Sequence, residues 1–313
     1  MADVWLPLIG GLVLLFAGGD LLVRGSVLAA TRLGISPLVI GLTLVGFGTS
    51  TPELVTSVQA ALAGAPGIAY GNIVGSNIAN ILLIGGVAAL LCPIVVSTNA
   101  LRRDGAVMTF AIVVFAALAA TVILGRIVGG CFLATLAIYL IWTFRQERRR
   151  GATEGDAPEP ASPSRTSLPA ALGIAAAGLV LVIFGGRFLV DGAVALALGF
   201  GISETVIGLT IVAVGTSMPE LVTSVVAGFR RQSEMAFGNI VGSNIYNVLG
   251  IGGVTALVAP TRVPAEIVSF DNLVMIGVCI LFMLFSYTGL RMARWEGAAL
   301  LTGYCLYVFA IWP

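Results

Sequence analysis

GLTLVGFGTSTPELVTSV, residues Gly41–Val58, sets an acid, Glu53, inside an apolar run, directly after a proline and just beyond the hydroxyl pair Thr49 and Ser50. GLTIVAVGTSMPELVTSV, Gly208–Val225, repeats it at 14 of 18 positions, differing only at 44/211, 46/213, 47/214 and 51/218, with Glu220 in place of Glu53. An ionised side chain at the centre of a membrane helix costs about 3 kcal/mol or more. This chain carries one twice, in the same context.

The context is a membrane. Of 313 residues, 58% are apolar and only 10% charged, against roughly 25% charged in a soluble domain. Nearly the whole chain is apolar runs of about 20 residues, which leaves no room for a separate soluble domain. The 40 glycines suit close helix–helix packing in lipid. The bilayer is the expected environment, the net charge of +1 by itself points to no partner, and no nucleic-acid partner is expected. There is no histidine and no lysine, which argues against common zinc sites and histidine acid–base chemistry. No Ser/His or metal-ligand set for an enzyme is present, and no cofactor is expected. Cys92, Cys131, Cys279 and Cys305 are scattered without CxxC spacing and read as packing residues. No basic segment precedes the first apolar run, so that run is expected to remain as a helix.

Ten apolar spans are predicted, at 4–31, 37–64, 67–92, 104–124, 126–146, 168–198, 204–229, 234–259, 267–288 and 293–312. They are too long for barrel strands and lack strict alternation, so the fold class is an all-α membrane protein. The stretch Arg145–Ser167, RQERRRGATEGDAPEPASPSRTS, reads as a solvated linker. It divides the chain into a first five-helix repeat (1–146), a linker (147–167) and a second five-helix repeat (168–313). An offset of 208 − 41 = 167 superposes the first three spans of each half without a gap, and GNIVGSNIANILLIGGV (71–87) meets GNIVGSNIYNVLGIGGV (238–254) at 14 of 17 positions. In the first spans the charges swap: Asp20 and Arg24 align with Arg187 and Asp191, and each is expected to form an i,i+4 pair.

Five spans per half turn the second copy upside down, so the repeats are inverted. The arginines agree. Apart from Arg24 and Arg187, twelve (Arg32, Arg102, Arg103, Arg145, Arg148, Arg149, Arg150, Arg165, Arg230, Arg231, Arg291, Arg294) fall on one side and two (Arg126, Arg262) on the other. By the positive-inside rule the linker is cytoplasmic and both termini face outward, as in a multi-pass cell (inner) membrane protein.

Within the doubled stretch, Pro52 cannot donate to the Gly48 carbonyl and crowds it, and Pro219 does the same to Gly215. A kink and freed carbonyls are expected at each. Thr49 and Ser50 precede Glu53 by four and three residues, so their hydroxyls are expected on its face. On the next helix Ser76 and Asn80 share a face, as do Ser243 and Asn247, and Gly71, Gly75, Gly85 and Gly86 allow close approach to the carboxylate helix. Asn72, Asn77, Asn239 and Asn244 lie on other faces and are expected to serve backbone and interhelical hydrogen bonds. The set is all oxygen, suited to Na+ or Ca2+. Two glutamates bring −2, which one Ca2+, two Na+ or two protons would balance. An empty ionised site is too costly to sequester from water, so it should cross the membrane only when occupied, as in an obligatory exchanger.

GTSTPELVTS (48–57) and GTSMPELVTS (215–224), each followed by GNIVGSNI, resemble the α-repeats of the sodium/calcium exchangers, within the calcium/cation antiporter superfamily, and the organisation resembles the compact prokaryotic members. The resemblance implies electrogenic exchange, commonly three Na+ for one Ca2+, by alternating access. It implies Glu53 and Glu220 as central ligands shared by both ions, with oxygens from Thr49, Ser50, Thr216 and Ser217. Ser76 and Ser243, with the carbonyls of Gly46 and Ala213, would form outlying Na+ sites, and Asn80 and Asn247 would complete the central ring. Some superfamily members carry Asp in place of Asn247; the amide argues against a K+ requirement and removes a possible proton-binding carboxylate. The leading expectation is a Na+/Ca2+ antiporter expelling Ca2+ with inward Na+. A Ca2+/H+ antiporter is the alternative, and the hydroxyl- and amide-rich surround favours Na+. A passive channel is disfavoured because the acids are two and not a ring.

Overall fold

The computed structural model describes residues 2–153, 166–199 and 213–311. Residues 154–165 of the linker and Gly208–Val212 of the second motif copy lie outside that set. The helices are α1 (Ala2–Leu33), α2 (Pro37–Thr49), α3 (Thr51–Leu62), α4 (Pro66–Leu91), α5 (Thr98–Thr121), α6 (Arg126–Thr153), α7 (Leu168–Gly199), α8 (Ala213–Thr216), α9 (Met218–Phe229), α10 (Ser233–Val258), α11 (Ile267–Leu290) and α12 (Arg294–Ile311). Two short strands, β1 (Ile94–Val95) and β2 (Arg291–Met292), pair antiparallel.

Among the described residues seven helices (α1, α4, α5, α6, α7, α10, α11) are long and apolar enough to cross a membrane, or eight if α2 and α3 are one bent span. The expectation of ten is met to that extent. The 204–229 run is described only from residue 213, and α12 opens with Arg294 and Glu296, which dilute its apolar character. Large apolar side chains cover the outside of the helices: Leu6, Ile127 and Phe309 are each more than three-quarters exposed. That is the surface of a protein solvated by lipid.

Small residues set the packing. Gly11, Gly18 and Gly25 recur every seven residues along α1 and face Gly185, Gly178 and Ala171–Ala175 of antiparallel α7. A Cβ on Gly18 would lie 2.7 Å from the Val182 nitrogen and 2.9 Å from the Gly178 oxygen, so the two backbones touch directly. Likewise α2 meets α10 through Gly41, Gly238 and Gly242; a Cβ on Gly238 would lie 2.5 Å from the Leu38 oxygen. Gly71, Gly85 and Gly86 do not serve the carboxylate helix as expected. Gly71 faces Ile267, Gly85 faces Phe282 of α11, Gly86 meets Gly297 and Leu301 of α12, and a Cβ on Gly75 would meet nothing within 4 Å, so none of the four is used for close approach to α3. The 167-residue offset extends into the fourth helices: Phe282 packs on Gly85 and Phe115 packs on Gly252.

The two ends of the bundle are each tied by extended backbone. β1 and β2 meet beside the start of α5, and Leu124 bridges Thr261 beyond its end. The end of α6 and the start of α7 lie on the β1–β2 side. Arg32, Arg102, Arg103, Arg145, Arg230, Arg231, Arg291 and Arg294 share that side, and Arg126 and Arg262 take the other.

The α5 helix begins at Thr98, six residues before the predicted 104. Ser97 caps it, accepting from the Ala100 N–H at 3.3 Å, and acids beyond the added turn neutralise Arg103. Arg103 grips Asp104 with both nitrogens (2.7 and 3.0 Å) and Glu147 at 2.9 Å, while Tyr139 donates to Asp104 at 2.8 Å. In the second half Tyr307 donates to Asp271 at 2.8 Å, without an arginine. Asp20 and Arg24 do pair, at 3.0 Å, and Asp20 also pairs with Arg230 beyond α9. Arg187 and Asp191 form no such pair; both side chains are exposed.

Candidate functional site

Each motif copy breaks its helix at the serine before the proline. Ser50 (φ −83°, ψ 9°) and Ser217 (φ −91°, ψ 7°) both leave helical geometry for the bridge region, and α2 and α3 meet at 46°. The missing proline N–H is the local cause, as the sequence predicts. Glu53 and Glu220 then stand in the first turns of α3 and α9, at 1% and 2% exposure.

At the break each serine bonds to the glutamate of the other half. The Ser50 hydroxyl donates to Glu220 Oε1 at 2.8 Å, and the Ser217 hydroxyl donates to Glu53 Oε1 at 3.3 Å. The expectation that each hydroxyl shares the face of its own acid therefore fails for the serines: the bonds cross between the halves. Thr49 donates back to the Val45 carbonyl at 3.0 Å, and its hydroxyl also lies within reach of Glu220. Thr216 ends α8 directly before Ser217 and is half-buried.

The helices that carry the two GNIVGSNI segments come in beside these breaks. A Cβ on Gly46 would lie 3.4 Å from the Ser243 nitrogen, so the α2 backbone runs against α10 at that serine. Ala213 is the first residue of α8, one turn before the break. Ser76, Asn80, Ser243 and Asn247 are all buried. Asn80 opens a π-helical segment, Asn80–Gly85, and Asn247 lies in its counterpart, Tyr246–Ile251. Such wide turns are frequent at functional sites.

Several oxygens of this set have no protein partner: Oε2 of Glu53, Oε2 of Glu220, Oδ1 of Asn80, Oδ1 of Asn247 and Oγ of Ser243. Buried polar atoms are normally paired. Unpartnered buried atoms also occur elsewhere, on Ser26, Thr143, Thr255 and Asn272 among others, but here two of them are carboxylate oxygens, and no arginine pairs with either glutamate among the described residues. A hard cation satisfies both shortages, since it supplies positive charge and takes oxygen ligands.

Around the set stand residues whose roles sequence reasoning left general. The Asn72 amide donates to the Glu53 carbonyl (3.1 Å) and to Ser57 Oγ (2.8 Å). Asn239 does the same to the Glu220 carbonyl (3.2 Å) and Ser224 Oγ (2.8 Å). Both meet the expectation of interhelical hydrogen bonds, and both hold the peptide of a glutamate. Asn77 and Asn244 donate to carbonyls one turn back, each at 2.7 Å. The clue to the clamp was available: serine four residues after each glutamate and asparagine nineteen after it, in both copies.

Long apolar helices around a buried, acidic, all-oxygen chamber define a multi-pass membrane protein with a site fit for hard cations. The profile of the sodium/calcium exchanger protein family matches residues 4–145 and 170–312. The chain is 34% identical to the sodium/calcium exchanger MaX1 of Methanosarcina acetivorans, with 98% of each chain covered. It is also 34% identical to the putative antiporter CaxA of Alkalimonas amylolytica, with 96% of each covered. Among solved structures it matches the sodium-calcium exchanger NCX_Mj soaked with Na+, at 33% identity, with 98% of each chain covered and a TM-score of 0.84. The same exchanger soaked with Na+ and Sr2+ matches with the same TM-score. The chain belongs to the sodium/calcium exchanger protein family.

Proposed function

We propose that this protein is a secondary active antiporter that exchanges Na+ for Ca2+ by alternating access, exporting Ca2+ as Na+ enters. The observation that carries the reading is the crossed pair Ser50–Glu220 and Ser217–Glu53. It joins two copies of one motif into a single buried site of charge −2, which one Ca2+ neutralises. Glu53 and Glu220 are the central ligands for both ions, ringed by Asn80 and Asn247. Ser50 and Ser217, with Thr49 and Thr216, add oxygens. Ser76 and Ser243, with the carbonyls of Gly46 and Ala213, form the outlying Na+ sites. The relatives named for sodium/calcium exchange support Na+ as the counter-ion.

The full architecture belongs to the same reading: ten membrane helices, in inverted repeats at 1–146 and 168–313, joined by a cytoplasmic linker at 147–167, with both termini outside. The gathering of arginines on the linker side supports that orientation. Exchange is electrogenic, at three Na+ per Ca2+.

The test is Ca2+ uptake by purified protein in vesicles loaded with Na+, against vesicles carrying K+ or a pH gradient alone. Uptake that needs internal Na+ is expected. Uptake driven equally by a pH gradient without Na+ would overturn the reading in favour of Ca2+/H+ exchange.

A further inference from the structure

Adjacent arginines at the start of α5 have opposite fates. Arg103 is buried and fully engaged with Asp104, Glu147 and Gln146. Arg102 is exposed and makes no hydrogen bond or ion pair with any described residue. It stands at the mouth of a hollow of about 690 Å³ between α5 and α11, whose walls include Phe110, Val113, Ile280, Leu284 and Tyr287. Arg102 is the one charged residue in that lining. Along α5 the hollow runs from Leu101 to Val113, about 18 Å at 1.5 Å per residue, close to one leaflet of a hydrocarbon core about 30 Å thick. On its other side Arg102 borders a smaller polar hollow of about 240 Å³ with Asn99, Arg103 and Gln146. Gln146 accepts from Arg103 through Oε1, which leaves its amide N–H groups to donate.

An apolar channel one leaflet long, capped by an unpaired cation and amide donors, has the amphipathic pattern of a phospholipid. The charge selects among phospholipids: a zwitterionic headgroup brings its own cation, whereas an anionic one is complementary to Arg102. The repeat provides an internal control. At the 167-residue offset Arg102 becomes Ser269, Phe110 becomes Gly277, and Leu284 and Tyr287 correspond to Ala117 and Ala120. The corresponding face has no cation at this position, and its walls differ, with Leu273 and Ile276 standing where Ala106 and Thr109 stand. The feature is thus a property of the linker side and not of the fold in general.

We propose that the α5–α11 groove is a binding site for an anionic glycerophospholipid of the linker-side leaflet, its chain against Phe110, Val113, Ile280 and Leu284 and its phosphate held by Arg102. The site is separate from the glutamate chamber and does not depend on the transport reading. The test is native mass spectrometry of the full-length protein titrated with phosphatidylglycerol or phosphatidylcholine of identical chains. Wild type is expected to bind phosphatidylglycerol more tightly. R102Q should weaken that binding about fivefold, the worth of one interfacial arginine, with phosphatidylcholine binding unchanged; R102K should keep the preference, and so should R291Q. Equal binding of the two lipids by wild type, or an undiminished preference in R102Q, would overturn the proposal. Arg102 has no partner among the described residues, so its replacement is expected to leave folding intact, and an unchanged melting temperature in detergent checks this.

Discussion

Glu53 and Glu220 each commit one carboxylate oxygen to a serine of the other half and leave the second without a protein partner. In the proposed site, removing one charge would leave Ca2+ half-neutralised, and breaking a buried charge pairing costs about 3–5 kcal/mol. E53Q and E220Q are therefore each expected to lower Ca2+ transport by about 100-fold or more, measured as Na+-driven uptake in vesicles, while the protein still elutes as a folded species. Wild-type rates in either variant would refute the assignment. Both glutamates were legible in the sequence because the motif occurs twice, and the proline gave the kink. The crossing of the serine bonds was not legible: helical spacing puts Ser50 on the face of Glu53, and nothing in its local spacing pairs it with Glu220. The asparagine clamp makes a separate prediction. N239A leaves the buried Ser224 hydroxyl and Glu220 carbonyl without their donor, a cost of about 1–3 kcal/mol. A lower melting temperature in detergent is expected, with stabilisation by added Ca2+ retained because no proposed ligand oxygen is lost.

At the scale of elements, the spacing of glycines does more than composition could tell. Gly11, Gly18 and Gly25 on α1 meet Gly178, Gly185 and the Ala171–Ala175 turn of α7 backbone to backbone, while Gly10, one residue off the stripe, has open space around it. G18A is expected to destabilise the protein by about 1–3 kcal/mol, the cost of overpacking, and G10A to leave it unchanged. Paired melting curves in detergent decide this, and equal curves would contradict direct backbone contact. Helix existence was legible from the apolar runs, whereas contacts between helices depend on which face each residue takes. The start of α5 shows the limit most plainly. RRD at 102–104 reads as a hydrophilic end, yet it is a helical turn whose Asp104 is fully buried among Arg103 and Tyr139. The partners outside the turn, Tyr139 for Asp104 and Glu147 for Arg103, lie 35 and 44 residues away, beyond the reach of local patterning.

For the whole molecule, the crossed bonds and the duplicated packing of Phe115 on Gly252 and Phe282 on Gly85 make the two halves near-equivalents about one site. A site shared in this way can present similar faces to either side, the geometry that alternating access uses. What the fold leaves open to experiment is how many ions travel per cycle, and voltage answers that. Three Na+ leaving a vesicle for one Ca2+ entering carries one net positive charge outward, so an inside-positive potential drives uptake and an inside-negative one opposes it. One charge moving through 100 mV is worth about 2.3 kcal/mol, a shift of about 50-fold in the Ca2+ accumulation ratio at equilibrium. Vesicles clamped with K+ gradients and a K+ ionophore should therefore accumulate far more Ca2+ when K+ enters than when it leaves. A 2:1 exchange is electrically silent, and equal accumulation under the two clamps would establish it in place of the 3:1 cycle.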